Sequence, residues 1–235
     1  MAQHHEVHEY TSRVDHIEVL WYLNTFTPDG GPSLTPTLTP SVTPTPSPSS
    51  GPSATPTPTP TPEDIANHLV VNEVYNDPDS THRITGVGGE NRGEWLEIYN
   101  PTSSDINVNG WTIEEASGGD ETLSDITIPG HGFLILGGAT EAELREVWSI
   151  PAGVLFFSAS GGKIGNGLNN PGDLILLKTD TAELVDAVSW GSDTSVLDPA
   201  PPDVGTGHSL ERDPDGKDAD TAGDFVDRET PQPGQ

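Results

Sequence analysis

The chain has 235 residues, 9 basic and 37 acidic, for a formal charge of −28, and contains no cysteine. Disulfides and thiolate metal sites are therefore excluded, and a surface this anionic repels phosphate backbones, so nucleic acid is not an expected partner. No apolar run reaches the roughly 18 residues of a membrane helix, so no membrane insertion is expected.

Residues 1–27 read as a fragment. In Val14 to Leu23, Ile17, Val19, Trp21 and Leu23 alternate with His16, Glu18, Leu20 and Tyr22, the period of a strand. A lone strand buries no face, so the segment is expected to be the end of a missing upstream domain, with an added edge strand as the alternative. His4 and His8 have the spacing of one helix face, but no helix signal accompanies them and Glu6 and Glu9 make the run a solvated tail. Met1 to Glu6 lacks a basic start followed by an apolar stretch, so no signal peptide is legible there.

Residues 28–62 are Thr-Pro repeats with Ser and Gly interruptions. Proline fixes φ and removes backbone donors, so this linker is expected to be disordered and polyproline-like, a spacer between domains.

Residues 63–235 form the expected folded domain. They hold 8 basic and 32 acidic residues (8 − 32 = −24), so the compact part carries most of the charge. Strands are predicted at 69–75, 94–100, 111–115, 122–128, 133–136, 154–157, 173–178, 184–190 and 209–212, separated by Gly, Asn, Asp and Pro clusters. One helix is predicted at 141–148, where Thr140 and Glu143 have the spacing of a capping box. Many short strands with almost no helix predict an all-β, antiparallel two-sheet sandwich. Trp111, Trp148 and Trp190 are core candidates, and 76–93 and 193–206 are long loops suited to binding.

The succession Asn72-Glu73-Val74, Glu94 to Asn100, Gly110-Trp111-Thr112-Ile113, Ile128-Pro129-Gly130, Leu168 to Asp173, Val185-Asp186-Ala187-Val188 and Ser209-Leu210-Glu211-Arg212 resembles the lamin tail domain family, in its bacterial, extracellular form. The closing Asp224-Phe225 and Thr230-Pro231 continue the series. The resemblance implies an immunoglobulin-like antiparallel β-sandwich without catalytic apparatus. Such domains are appended to exported or surface-anchored proteins. Thr181-Ala182-Glu183 stands where the family's hairpin has a glycine, a departure that touches only the turn type.

The sharpest chemical signal is Asp213-Pro214-Asp215-Gly216-Lys217-Asp218-Ala219-Asp220. Carboxylates at close spacing around a glycine turn supply oxygen ligands to hard cations, so Asp213, Asp215, Asp218 and Asp220 are the candidate metal ligands, with calcium the candidate ion. Against this, Gly216 comes too early for an EF-hand and Lys217 sits inside the loop; the alternative is a capped turn. Glu73, Glu94 and Glu97 are expected on neighbouring strands, one of them facing inward to pair with Arg212. Gly161 to Gly167 feeds no helix and is expected to be an open hairpin loop. His82, His131 and His208 are expected in ordinary loop roles.

No nucleophile elbow, H-E-x-x-H or phosphate loop occurs, so no catalytic residue and no required cofactor is expected. The expected function is a non-catalytic extracellular or cell-surface accessory module that attaches to or recognises protein or polysaccharide. The alternatives are a calcium-stabilised adhesion domain and a metal-dependent hydrolase or nuclease using the acidic residues.

Overall fold

The computed structural model of the chain describes residues 64–86 and 89–235. The fragment expected at 1–27 and the linker expected at 28–62 lie outside the described residues. Two facing sheets enclose the main core. The first has six strands: β1 (Val70–Tyr75), β2 (Trp95–Tyr99), β7 (Phe133–Gly137), β8 (Leu155–Ser158), β11 (Ser209–Arg212) and β12 (Phe225–Arg228), in the order β12-β11-β1-β2-β7-β8. The second has four: β4 (Thr112–Glu115), β5 (Asp120–Thr122), β9 (Gly172–Lys178) and β10 (Leu184–Gly191), in the order β10-β9-β4-β5. A small ladder joins β3 (Ile106–Asn107) to β6 (Thr127–Ile128).

Side-chain alternation sets which face each strand presents. On β2, Leu96 and Ile98 enter the main core with Leu134 and Leu136 of β7, opposed by Ile113, Ile175, Leu177 and Val188 of the second sheet. Trp95 points to the opposite face. There, with Tyr75 and Ile135, it builds a second apolar cluster under the helix α1 (Glu141–Val147). Strand β1 carries a register shift between Val71 and Glu73. Val71 and Val74, three apart, consequently both reach the main core, as an extra residue in a strand allows.

The helix starts as its sequence demands. Thr140 Oγ1 accepts the Glu143 N–H at 3.4 Å, and Glu143 Oε2 accepts the Thr140 N–H at 3.0 Å. Seven residues are too few for an isolated helix to persist in water. Burial of Leu144, worth about 1.5–3 kcal/mol, holds it to the sheet.

Several sequence expectations need correction. The strand expected at 122–128 is two short strands, β5 and β6, interrupted where Asp125 takes a φ of 57°. Strands β3 and β12 lie outside the predicted strands. Strand β8 runs parallel to β7, the one parallel pairing among the described strands of an otherwise antiparallel fold. The open loop expected at 161–167 packs instead into the core, burying Ile164, with Leu168 just beyond it. Trp148 and Trp190 are buried as expected, whereas Trp111 is half-buried against the core. Ala182 adopts a φ of 63°, so the hairpin turn keeps the left-handed geometry that glycine favours.

Candidate functional site

Arg212 ends β11 with its side chain turned into the sandwich, 2% exposed. A guanidinium has five donors and no acceptor, so burial requires a full set of oxygens. Nε donates to Val71 O at 3.0 Å, Nη2 to both Asp186 oxygens at 3.0 and 3.1 Å, and Nη1 to Asp218 Oδ1 at 3.2 Å and to Lys217 O. Its carbon lies 4.6 Å from the Phe225 ring centroid. Asp186, on β10 of the other sheet, also accepts the Val71 N–H at 2.6 Å and the Ala187 N–H at 2.8 Å. Burial pushes the Asp186 carboxyl above its ordinary pKa while the Arg212 charge pulls it down. His68 Nε2 lies 3.2 Å from Asp218 Oδ2; that bond raises His68 and, with the Arg212 charge, holds Asp218 below the usual carboxylate range.

Arg212 therefore finds its carboxylate across the sandwich, which corrects the expected pairing with Glu73, Glu94 or Glu97. Those three serve other donors. Glu94 Oε2 accepts the Leu168 N–H at 3.0 Å, Glu97 accepts Asn72 Nδ2 at 3.0 Å and the Gly234 N–H at 2.5 Å, and Glu73 accepts the Ser209 hydroxyl at 2.5 Å.

The same use recurs at the loops of the second sheet. Glu115 accepts the N–H groups of Ser117, Gly119 and Asn166 at 2.6–3.2 Å. Burial pushes its carboxyl up, and these bonds outweigh that to leave it below its ordinary value. Asp173 accepts from Ala116 at 3.1 Å and Asn169 at 2.8 Å, and Glu121 from Ser160 at 3.1 Å. Much of the acidic composition thus serves as acceptors that tie irregular backbone to the sheets.

The four candidate metal ligands are dispersed among different partners. Asp215 accepts Asn72 Nδ2 at 2.9 Å, while Gly216 N donates to Asn72 Oδ1 at 3.0 Å. Asp218 joins Arg212 and His68, and Asp213 and Asp220 are exposed. Among the described residues, the group whose potential ligand atoms lie within 4.8 Å of one another is His68, Asp186 and Asp218, and both of its carboxylates already face Arg212. Of the four, the structure brings Asp218 alone into that group. An aspartate within the apolar strand Val185-Asp186-Ala187-Val188 was the sequence signal for this junction, since a buried carboxylate demands a cation.

A cleft of about 420 Å³ opens beside this junction, along the start of β10. Leu184, Val185, Val196 and Leu197 supply apolar wall, and His68, Asp218 and Asp220 supply polar wall. Leu184 is 59% exposed, the large hydrophobic side chain that the described residues leave open to water. The far half of β10 is covered: Gly191 N donates to Pro201 O at 2.8 Å and Leu197 N to Ser189 Oγ at 3.0 Å. The loop at 193–206, expected to be a binding loop, thus packs along β10 and buries Leu197 and Val204 while Val196 faces the cleft. Near the mouth, the Ala187 N–H is taken by the Asp186 carboxylate, which removes one backbone donor from this sheet edge.

No curated protein matches the chain. The profile of the family described as Lamin Tail Domain matches residues 63–192. The sheet that this match enters continues beyond it, because β11 lies between β1 and β12. With more than half of its residues matched and the two-sheet architecture in place, the chain belongs to the lamin tail domain family, whose immunoglobulin-like domains are non-catalytic and typically act as binding or interaction modules.

Proposed function

We propose that this domain is an accessory module of an extracellular or cell-surface protein, and that it recognises a protein partner through the cleft at the start of β10. The observation that carries this reading is the shared apolar wall of Leu184, Val185 and Val196 in one cleft, with Leu184 open to water and Asp218 and Asp220 beside it. Exposed apolar surface rimmed by polar groups is the usual mark of an interaction site. On a domain of charge −24, aspartates at the rim favour a partner bearing basic side chains and steer its approach. The Thr/Pro-rich stretch before the domain supports display at a distance from a neighbouring domain.

The carboxylates that a hydrolase would use are otherwise engaged. Glu73 and Glu97 are each 1% exposed and bonded to the domain's own donors, closed to a substrate. The test is a binding screen of the purified protein against arrays of basic peptides and of glycans, with Leu184→Asp as the comparison. The expected result is peptide binding that weakens at least tenfold in the variant. Turnover of esters, glycosides or nucleic acids at ordinary enzyme rates would overturn the non-catalytic reading, and glycan binding indifferent to Leu184 would overturn the proposed surface.

A further inference from the structure

Three carboxylates stand in a row on the outer face of the six-stranded sheet. Glu73 of β1 is the register partner of Glu97 on β2 and of Glu211 on β11. Like charges directly opposite each other destabilise a sheet, because the side chains lie about 5 Å apart. The cation paired with this row is Arg228 of β12, whose Nη2 lies 3.0 Å from Glu211 Oε1 and which acts on Glu73 only from a distance. Asp213 and Asp215, from the turn before Gly216, add further negative charge toward Glu211, and Asp215 does so toward Glu97. From β7 the partner of Glu97 is Ile135, and from β12 the partner of Glu211 is Val226, so neither brings a charge.

The row is roofed by the closing segment of the chain. Pro231, Pro233 and Gly234 are buried, Gln232 N lies 3.4 Å from Glu73 Oε1, and Gly234 N donates to Glu97 Oε2 at 2.5 Å. Gly234 has a φ of +83°, and a Cβ there would stand 2.5 Å from Val154 Cγ2 and 3.2 Å from Pro151 Cδ. The segment therefore leaves β12 and passes over Glu73 of β1 and Glu97 of β2 to the residues just before β8. Removal from water pushes the Glu73 carboxyl up to about 8, and burial together with the Glu73 charge drives Glu97 well above its ordinary value.

We propose that residues 230–235 form a proton-controlled strap, seated while the Glu73–Glu97 pair is protonated and released from the sheet face once both carboxyls ionise. A protonated carboxyl keeps an acceptor oxygen for the Gln232 and Gly234 N–H groups, so protonation leaves the strap its hydrogen bonds. Two facing carboxylates under a dry roof carry uncompensated charge that only water relieves, and lifting the roof admits that water. By linkage, each pH unit above the seated-state value shifts the seated-to-released ratio by up to tenfold per proton lost.

The test follows the ¹³C-methyl resonance of Val154, which touches Gly234 and is blind to the pH dependence of amide exchange, with the Ile113 and Leu123 core methyls as markers of the intact fold. Gly234→Ala, whose methyl cannot fit against Val154, marks the released position at pH 6. In the wild-type chain, the Val154 signal is expected to move from the seated to the released position between pH 6 and 9.5 while the core methyls stay in place. In the E73Q/E97Q double variant it is expected to remain seated throughout. A wild-type signal that does not move over this range overturns the proposal without recourse to any variant. So does a double variant that titrates like the wild type, or a movement shared by the core methyls.

Discussion

Arg212 and Asp186 lie on different sheets, yet guanidinium and carboxylate meet through contacts of 3.0 and 3.1 Å with side chains only 2% and 3% exposed. The pair fixes β10, the edge strand of one sheet, against β11, the strand next to the edge of the other. Breaking such a pair by removing one partner costs about 3–5 kcal/mol, because a charge is left buried and alone, whereas replacing both with apolar groups can be neutral. Arg212→Met is therefore expected to lower stability by about that amount, and Asp186→Leu added to it should cost less than the sum of the two single changes, the recovery staying partial because the Val71 N–H and C=O lose their partners. Chemical denaturation of the two single variants and the double variant measures the coupling; additive losses would show that the pair is not the cross-sheet tie.

Stability should fall on both sides of the ordinary carboxylate range, for opposite reasons. Glu115 and Asp218 have folded values below their ordinary ones, so their contribution is present above the ordinary carboxylate range and disappears as pH falls through the lowered values. Glu73 is raised to about 8, so its contribution is full below its ordinary value and is lost as pH rises through about 8. Denaturation midpoints measured from pH 3 to 9.5 should trace a dome. Glu115→Gln should flatten its acid limb and Glu73→Gln its alkaline limb.

The short helix gives a graded pair of variants. Thr140→Ala removes the cap and is expected to cost about 1 kcal/mol, near the typical value for such a change. Leu144→Ala empties the contact with the sheet and is expected to cost about 2–5 kcal/mol. In a domain of this size each kcal/mol corresponds to roughly 2–4 °C in Tm, so the two variants separate clearly in a thermal melt. Equal losses would mean that the cap, rather than packing, holds the helix.

Leu184→Asp should separate binding from folding. The side chain is largely exposed, and substitutions at such positions stay within about 0.5 kcal/mol. The melting curve is expected to be unchanged while partner binding at the β10 cleft falls. A large loss of stability would reassign Leu184 to the core.

Local pattern made the strands and the helix legible. Trp95 to Tyr99 alternates so cleanly that its two faces could be read directly, and Thr140 with Glu143 marked the first turn of α1. The family resemblance was likewise carried by short segments in order, and it predicted the sandwich that the sheets form. What chain order could not express was partnership across distance. Arg212 reaches Asp186, 26 residues away, and Gly234 reaches Glu97, 137 residues away, because sheet order places β11 beside β1 and leads the closing segment over β2. The aspartates at 213–220 show the same limit: their close spacing around a glycine suggests cation ligands but does not reveal that Asp215 meets Asn72 and that Asp218 meets Arg212 and His68. Composition and periodicity thus determined the longer strands and how acidic the domain is. Tertiary structure alone decided which carboxylates are buried and what each one holds, because burial and hydrogen-bond partners depend on packing between segments remote in sequence.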